Sequence, residues 1–232
     1  MSARSISRVL RALGDADIAQ HSQRFFKTGK GEYGEGDCFL GIRVPVLRQH
    51  VRQYRDVESE EALKLLSSRY HEERLFALLL LVDKFKRATA EEQTWIYKQY
   101  LANTQYINNW DLVDSSADKI VGAYLEQRSR KPLYKLAKSK SLWERRIAIM
   151  ATFHFIRQDD FKDTLAICEL LIGDKEDLIH KATGWMLRET GKRNLNVEKD
   201  FLDRHCRVMP RTMLRYAIER LPEADRRAYL QG

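Results

Sequence analysis

The amino-acid sequence predicts an all-α protein, an α-solenoid of stacked antiparallel helix pairs. Proline and glycine are scarce, with four and eleven in 232 residues, and no segment alternates apolar and polar residues with a period of two. Apolar helices with a basic residue near their beginning repeat along the chain. The basic residues are Arg74, Arg146, Lys181 and Arg215, and the gaps between successive ones are 72, 35 and 34 residues. A repeat unit of about 34–36 residues that contains two helices indicates a solenoid with one concave surface.

The segments with helical periodicity define the elements in chain order. Pro132, Pro210 and Pro222 each precede such a segment, where proline suits a first helical turn. We expect one repeat domain over residues 1–232, interrupted by a glycine-rich loop near residues 27–42. The predicted helices cover residues 4–13, 17–27, 45–55, 59–69, 71–86, 91–102, 110–127, 131–138, 143–157, 161–172, 176–191, 197–207, 210–220 and 223–230.

Composition limits the class of protein. The net charge of +8 and the pI near 9.4 favour a polyanionic partner such as nucleic acid. No apolar run approaches the ~20 residues of a membrane span, and the N-terminal segment lacks the apolar run of a secretory signal. Three scattered cysteines and six histidines without ligand spacing indicate neither a disulfide framework nor a metal site. We expect a reduced, cytoplasmic, nucleoid-associated monomer that needs no cofactor.

The glycine-rich loop is the main non-helical segment. Its glycines let the backbone approach a partner closely, and Lys27 and Lys30 lie among them. Arg43 and Arg48 follow at the beginning of the next helix. We expect these four cations to contact an anionic partner, and a flexible connector is the alternative interpretation of the loop.

The segment NNWDLVDSSADKIVGAYL, residues 108–125, predicts a helix capped by Asn109. Trp110 and Asp114 lie one turn apart at the border of its apolar stripe. The residues alone leave two interpretations open. The indole and the carboxylate are either a functional pair, or a partly exposed core tryptophan beside a solvated aspartate.

A second indole lies on the helix predicted at 176–191. Lys181, Trp185, Arg188 and Lys192 follow one another at i, i+4, i+7 and i+11, so they share one face. A DNA backbone would satisfy these cations while the indole contacts a sugar or a base. The alternative is a tryptophan that packs on the next helix, with cations whose aliphatic stems lie along it.

Arg146 lies at the edge of an apolar helix face, among Trp143, Met150 and Phe153, where a guanidinium needs an anionic partner. Corresponding helices of successive solenoid units are neighbours. We therefore expect one concave patch to hold candidate side chains from three units: Trp110, Asp114, Arg146, Trp185 and Arg188.

Four segments together carry a resemblance to a known family. FLGIRVPVLRQ, NNWDLVDSSA, LWERRIAIM and LIHKATGWMLRETGKR, in this order, resemble the AlkD-type DNA alkylation repair glycosylases, an all-α family with HEAT-like repeats. The resemblance covers roughly residues 20–221. It implies a HEAT-like fold and double-stranded DNA with alkylated bases as the partner. The glycine-rich insert before FLGIRVP is longer than in typical members.

The resemblance also implies roles for single residues. Asp114 matches the catalytic carboxylate of the family, and Trp110 and Trp185 match the two indoles that line the lesion. Arg146 and Arg188 match residues that hold the DNA backbone. The implied reaction is hydrolysis of the N-glycosidic bond of cationic N3- or N7-alkylated purines. We expect no strand cleavage, because no motif places a lysine for Schiff-base lyase chemistry. A non-catalytic DNA-structure-binding member and a protein-interaction solenoid are the alternatives.

Overall fold

The regular secondary structure is helical in the computed structural model, which describes residues 1–231. One isolated β-bridge joins Cys38 to Tyr70, and no strand occurs among these residues. The prediction of an all-α protein is confirmed. The chain divides into two compact units, the first of residues 1–116 and the second beginning at Ala117. One repeat domain over residues 1–232 stays a prediction.

The first unit contains seven helices, most of them close to their predicted bounds. A short 3-10 turn, Thr104–Tyr106, precedes the last of them. The helices are α1 (Ala3–Ala12), α2 (Ala16–Phe25), α3 (Val44–Gln53), α4 (Ser59–Leu66), α5 (His71–Arg87), α6 (Ala90–Ala102) and α7 (Trp110–Ala117).

The second unit begins with a π-helical turn, Asp118–Gly122. Among the residues up to 231, the helices that follow are α8 (Lys131–Ala137), α9 (Leu142–Ala151), α10 (Phe153–Ile156), α11 (Lys162–Leu171), α12 (Asp177–Arg193), α13 (Leu195–His205), α14 (Arg211–Ala217) and α15 (Glu223–Gln231). A 3-10 turn, Ile218–Arg220, follows α14.

Local sequence explains where many helices begin. An N-cap side chain accepts a hydrogen bond from an amide of the first turn at five helices, which satisfies a donor that the helix itself leaves unpaired. Proline lies at the first or second position of α3 and α8, where its fixed φ suits the helix. The N-cap residues are Ser2, Asp15, Thr89, Ser141 and Asn194.

Helix α5 is the centre of the first unit. It contacts α3, α4 and α6, and every residue from Leu75 to Val82 is buried. A helix that is apolar around its whole circumference has to be surrounded by protein. The first turn of α5 is also buried although all four of its side chains are ionisable: His71, Glu72, Glu73 and Arg74.

Helix α12 is the centre of the second unit, in contact with α9, α11, α13 and α14. Its backbone approaches that of α14 closely at Gly184. A Cβ atom at this position would lie 2.3 Å from the carbonyl oxygen of Met213, so only glycine fits there.

Two long helices that the sequence predicts are interrupted. The helix predicted at 143–157 breaks at Thr152, whose buried hydroxyl donates to the carbonyl of Ile149 at 2.7 Å. A hydroxyl bound to the preceding turn often bends a helix, but Thr183 and Thr190 make such bonds within the unbroken α12, so this bond alone does not explain the break. The helix predicted at 110–127 changes to a π turn at Asp118–Gly122. Apolar periodicity continued across both positions and therefore gave no sign of the change.

The repeat marker Arg146 is wrong by one residue. Arg74 donates to the main-chain carbonyl six residues earlier at 3.1 Å and to Asp37 at 2.8 Å. Arg145 makes the same pair of contacts, to the carbonyl six residues earlier at 3.1 Å and to Asp174 at 2.6 Å. Arg145 is therefore the counterpart of Arg74, because both clamp the loop that leads into their helix.

Candidate functional site

The first turn of α7 is fixed by Asn109. This residue is fully buried, its carbonyl oxygen accepts from the amide of Val113 at 3.2 Å, and its Oδ1 atom accepts from the amide of Trp110 at 2.9 Å. Asn109 thus directly precedes the helix as predicted, with its side chain on the first helical amide rather than on the second or third. The Asn109 amide group also donates to Asp37 at 3.3 Å, which connects the helix to the glycine-rich loop.

Trp110 and Asp114 lie where the sequence placed them, at the border of the buried face of α7. Both side chains are half-buried, whereas Leu112, Val113 and Ala117 are fully buried. An indole and a carboxylate one turn apart are thus both accessible from solvent while their helix is anchored in the core.

The indole of Trp110 continues a stack of aromatic rings. It lies nearly parallel to the ring of Phe26, with centroids 5.1 Å apart and planes at 16°, and Phe25 contacts it edge-on at 6.0 Å. Phe26 stacks in turn on Phe39 at 5.0 Å, and Phe39 on the imidazole of His71 at 4.5 Å. Phe25 is 59% exposed, so this stack ends at the surface beside the indole.

His71, at the inner end of the stack, also belongs to a buried ionic cluster that the sequence analysis did not predict. The Nδ1 atom of His71 donates to Asp37 at 2.8 Å, and its Nε2 atom donates to Asp111 at 2.8 Å. Arg74 donates to the second oxygen of Asp37, also at 2.8 Å. The cluster joins the glycine-rich loop, the first turn of α5 and the first turn of α7.

The electrostatics of this cluster favour the charged histidine. Burial by itself lowers the pKa of His71, but the carboxylates of Asp111 and Asp37 outweigh it and raise this pKa to about 9. Burial likewise raises the pKa of Asp37, yet His71 and Arg74 hold it below its ordinary value. Both nitrogens of His71 therefore donate, as an imidazolium requires.

The sequence contains one signal that pointed to this cluster. Four ionisable residues, HEER at 71–74, directly precede an apolar run that only a buried helix has. Their burial, and hence a need for partners, follows from that position. The partners themselves were not predictable, because Asp37 and Asp111 lie 34 and 40 residues from His71 along the chain.

The glycine-rich loop is attached to α5 by a second buried carboxylate. Glu72 accepts hydrogen bonds from the amides of Leu40 and Gly41, both at 2.8 Å, and of Ile42 at 3.2 Å. Gly41 has φ of 83°, and a Cβ atom there would lie 1.9 Å from the carbonyl oxygen of Asp15. The end of the loop is therefore firmly held, which disfavours the flexible connector.

The four cations proposed to contact an anionic partner, two in the glycine-rich loop and two at the beginning of α3, are all exposed. Within residues 1–231, none of them has a carboxylate within ion-pair distance. They are Lys27, Lys30, Arg43 and Arg48. Lys27 has φ of 51°, a left-handed conformation that is uncommon for a lysine and marks a turn.

The face of α12 that contains Trp185 is less cationic than its sequence spacing suggested. The half-buried indole donates to Glu189 at 3.0 Å, and Glu189 also accepts from Lys192 at 2.6 Å. Arg188 pairs with Glu219, which lies in the 3-10 turn after α14. The prediction overlooked both carboxylates, one at the i+4 position and the other 31 residues away.

The two remaining candidates of the second unit also have partners within the protein. Lys181 pairs with Asp177 one turn earlier, at 2.8 Å. Arg146 is only 4% exposed and donates to the main-chain carbonyl of Leu178. The sequence placed Arg146 at the edge of an apolar face, and the structure places it deeper, with a carbonyl oxygen as acceptor.

Comparison with known proteins identifies the family. The family described as "DNA alkylation repair enzyme" matches residues 6–221 of the chain. The chain belongs to this family. Its structure is similar to that of a protein from Enterococcus faecalis described as a predicted DNA alkylation repair enzyme, with a TM-score of 0.69 and 17% identity over 90% of this chain and 97% of that one. No functionally curated protein matches the sequence.

This DNA alkylation repair family has a HEAT-like helical fold, and the fold class inferred from the sequence is confirmed. Every candidate residue, from Lys27 to Lys192, lies within the matched range. Up to residue 231, no three histidine, cysteine or carboxylate side chains group as metal ligands do, and the three cysteines are free. No helix in the same range is long and apolar enough to cross a membrane.

Proposed function

We propose that this member of the DNA alkylation repair family is a monofunctional DNA N-glycosylase. Its substrate is duplex DNA that carries a cationic N3- or N7-alkylated purine, and it hydrolyses the bond between that base and the deoxyribose. The observation that carries the proposal is the position of Asp114, a half-buried carboxylate one helical turn from a half-buried indole on a firmly anchored helix.

The chemistry of the substrate fits a single carboxylate. An N3- or N7-alkylpurine already bears a positive charge, so it leaves without a general acid. Positive charge then develops on the deoxyribose, and a nearby carboxylate stabilises that charge and orients the attacking water. Asp114 is proposed to do both. No sequence motif assigns a lysine to Schiff-base chemistry with the sugar, so we expect an abasic site and no strand cleavage.

The two indoles are proposed to contact the lesion. A cationic base attracts the face of an indole, by about 1–2 kcal/mol when water is excluded. Trp110 is supported from behind by Phe26, so its ring is held in one orientation before DNA binds. Trp185 is held less closely, through its hydrogen bond to Glu189 and a tilted contact with Phe153 at 6.1 Å.

Phosphate contacts are proposed for the remaining candidates. Among residues 1–231, the exposed cations of the glycine-rich loop and of the beginning of α3 form no ion pair, so they neutralise phosphates at the least cost. The cations of α12 and Arg146 have to exchange or share protein partners in order to bind a phosphate. We therefore rank the first group, Lys27, Lys30, Arg43 and Arg48, above the second, Lys181, Arg188, Lys192 and Arg146.

Base release tests the proposal directly. Duplex DNA treated with a methylating agent is incubated with the protein, and free bases are identified by chromatography and mass spectrometry. We expect N3-methyladenine or N7-methylguanine, with abasic sites that break only after alkali. Binding to DNA without release of a base would identify a non-catalytic DNA-binding member. No salt-sensitive binding to DNA at all would favour a protein-interaction solenoid.

A further inference from the structure

We propose that His71 is a positioning residue for the site on α7. Held between Asp37 and Asp111, it joins the glycine-rich loop to the first turn of α7 and thereby fixes where Trp110 and Asp114 lie. The inference rests on the proposed function for the role of Asp114, and it also assigns a purpose to the glycine-rich loop, as a support for the site.

The geometry of the imidazole suits this role. Its two nitrogens lie on opposite sides of a rigid ring, and each contacts one carboxylate at 2.8 Å. One carboxylate belongs to the loop, and the other directly follows Trp110 and precedes Asp114 by one turn. A ring buried to 2% exposure has no freedom to change partners, so it sets the separation between the loop and α7.

The charges also require this arrangement. The groups that face one another are the carboxylates of Asp37 and Asp111 and the cations His71 and Arg74. A neutral imidazole would turn an acceptor nitrogen toward one carboxylate, which is repulsive in a buried site. The raised pKa of His71, about 9, agrees with a ring that is charged at neutral pH.

The aromatic stack carries the position of His71 to the indole. His71 stacks on Phe39 at 4.5 Å with planes at 20°, Phe39 on Phe26 at 5.0 Å, and Phe26 on Trp110 at 5.1 Å. The ion pairs therefore hold the backbone of α7 while the stack holds the ring of Trp110. A shift of the imidazole is therefore expected to move both the backbone of α7 and the ring of Trp110.

Loss of His71 is expected to slow excision more than it weakens binding. The loop keeps its three amide contacts to Glu72 and the ion pair of Asp37 with Arg74, so Lys27 and Lys30 remain able to bind phosphate. For His71→Gln we expect single-turnover excision to fall by about 10–100-fold, as for a misplacement of about 1 Å, with the Kd for duplex DNA changed by less than about threefold.

The control for this variant is His154→Gln. His154 also contacts a carboxylate, Glu126 at 3.1 Å, but belongs to α10 of the second unit and joins no loop to α7. We expect it to keep excision and binding within about twofold of the wild type, because this partly exposed ion pair lies away from α7 and from the glycine-rich loop. Circular dichroism verifies that each variant is folded.

A measurement that needs no activity separates this inference from the proposed function. The protein is labelled with 5-fluorotryptophan, and the 19F signals of its four tryptophans are followed from pH 7 to 10, with Trp110 assigned by Trp110→Phe. We expect the Trp110 signal to shift with a midpoint near pH 9, the Trp185 signal to stay, and the Trp110 shift to vanish in His71→Gln.

The outcomes are distinct. A folded His71→Gln protein whose Trp110 signal matches the wild type across this pH range would overturn the inference, whether or not the enzyme releases bases. Equal losses of excision and of DNA affinity would overturn it too, since they indicate a general structural defect. Absence of base release from the wild type, together with the pH-dependent Trp110 shift, would reject the glycosylase and leave the positioning role standing.

Discussion

The beginning of α7 in the first unit and the middle of α12 in the second both present a half-buried tryptophan near a carboxylate. They differ in what surrounds the indole. Trp110 lies against other rings, and within residues 1–231 the exposed Lys27 and Lys30 of the glycine-rich loop have no ion-pair partner. Trp185 donates to Glu189, and the cations around it are paired with carboxylates.

The difference teaches that equal spacing in a sequence does not mean equal electrostatics. On α12, the cations at helical spacing predicted a positive face, but Glu189 on the same helix and Glu219 from another element neutralise much of it. In the glycine-rich loop, Asp37 instead pairs with the buried cations His71 and Arg74, and Glu32 and Glu35 accept from main-chain amides of the loop. This leaves Lys27, Lys30 and Arg43 at the surface with their full charge.

The largest expected contrast is in the pH dependence of stability. In the first unit, the pKa of His71 is raised from 6.5 to about 9, so its contribution is complete below pH 6.5 and is lost as the pH rises through 9. The loss is on the order of 3 kcal/mol. Urea titrations give the free energy of unfolding of the wild type and of His71→Gln. The difference between the two proteins should be smaller at pH 9.5 than at pH 6. A constant difference would mean that the imidazole is neutral.

The second unit has the opposite kind of group. Burial raises the pKa of Glu198 to about 7, although the nearby Arg188 opposes this shift. The protonated form is favoured in the folded protein, so stability is lost as the pH rises from 4.5 through 7. Glu198→Gln should therefore be more stable than the wild type at pH 8, by on the order of 1–3 kcal/mol, and equal to it at pH 4. Equal stability at pH 8 would show that the carboxylate is well solvated.

A smaller contrast is expected when the indoles are removed. Truncation of a fully buried tryptophan to alanine lowers the free energy of unfolding by about 3–5 kcal/mol. Because Trp110 is half-buried and stacked, Trp110→Ala should lower it by about 2 kcal/mol. Trp185→Ala should cost about 1 kcal/mol, because its nearest ring lies at 6.1 Å and tilted. Thermal melts measure both, and excision should fall more than DNA binding. A larger loss of stability for Trp185 would assign that indole to the core.

The smallest contrast concerns salt. Arg43→Ala should reduce the slope of log K against log salt by about one phosphate contact, since its charge is unshared. Arg188→Ala should reduce the slope by less, because Glu219 and Glu189 already neutralise part of its charge. Binding titrations at four salt concentrations on undamaged duplex suffice. A steeper reduction for Arg188 would mean that DNA displaces its carboxylate partners.

Local physics made the helices predictable. Caps such as Asp15 and Asn109, prolines in first turns, and apolar spacing of 3.6 residues all act within a few residues, so the sequence carries them directly. The same local pattern placed Trp110 and Asp114 at a helix border. It failed at Thr152, where the predicted helix is interrupted although its apolar pattern continues.

Long-range pairing was not predictable in the same way. Arg145 and Arg146 are neighbours in sequence, and only the position of Asp174 decides which of them clamps the loop. The partners of His71 and Arg188 likewise come from distant segments. Patterns along one helix report which side chains share a face, but they do not report which charges meet across elements.

The most direct test of the account is the carboxylate of Asp114. Asp114→Asn keeps the shape of the side chain and removes its charge, so single-turnover base release from methylated duplex should fall by about 10²-fold or more. The Kd for the same duplex should stay equal or decrease, because one charge that repels phosphate is gone. Asp83→Asn, at a half-exposed aspartate paired with Arg87 on α5, removes the same charge elsewhere in the unit and should leave excision unchanged. Base release by Asp114→Asn at the wild-type rate would contradict the account.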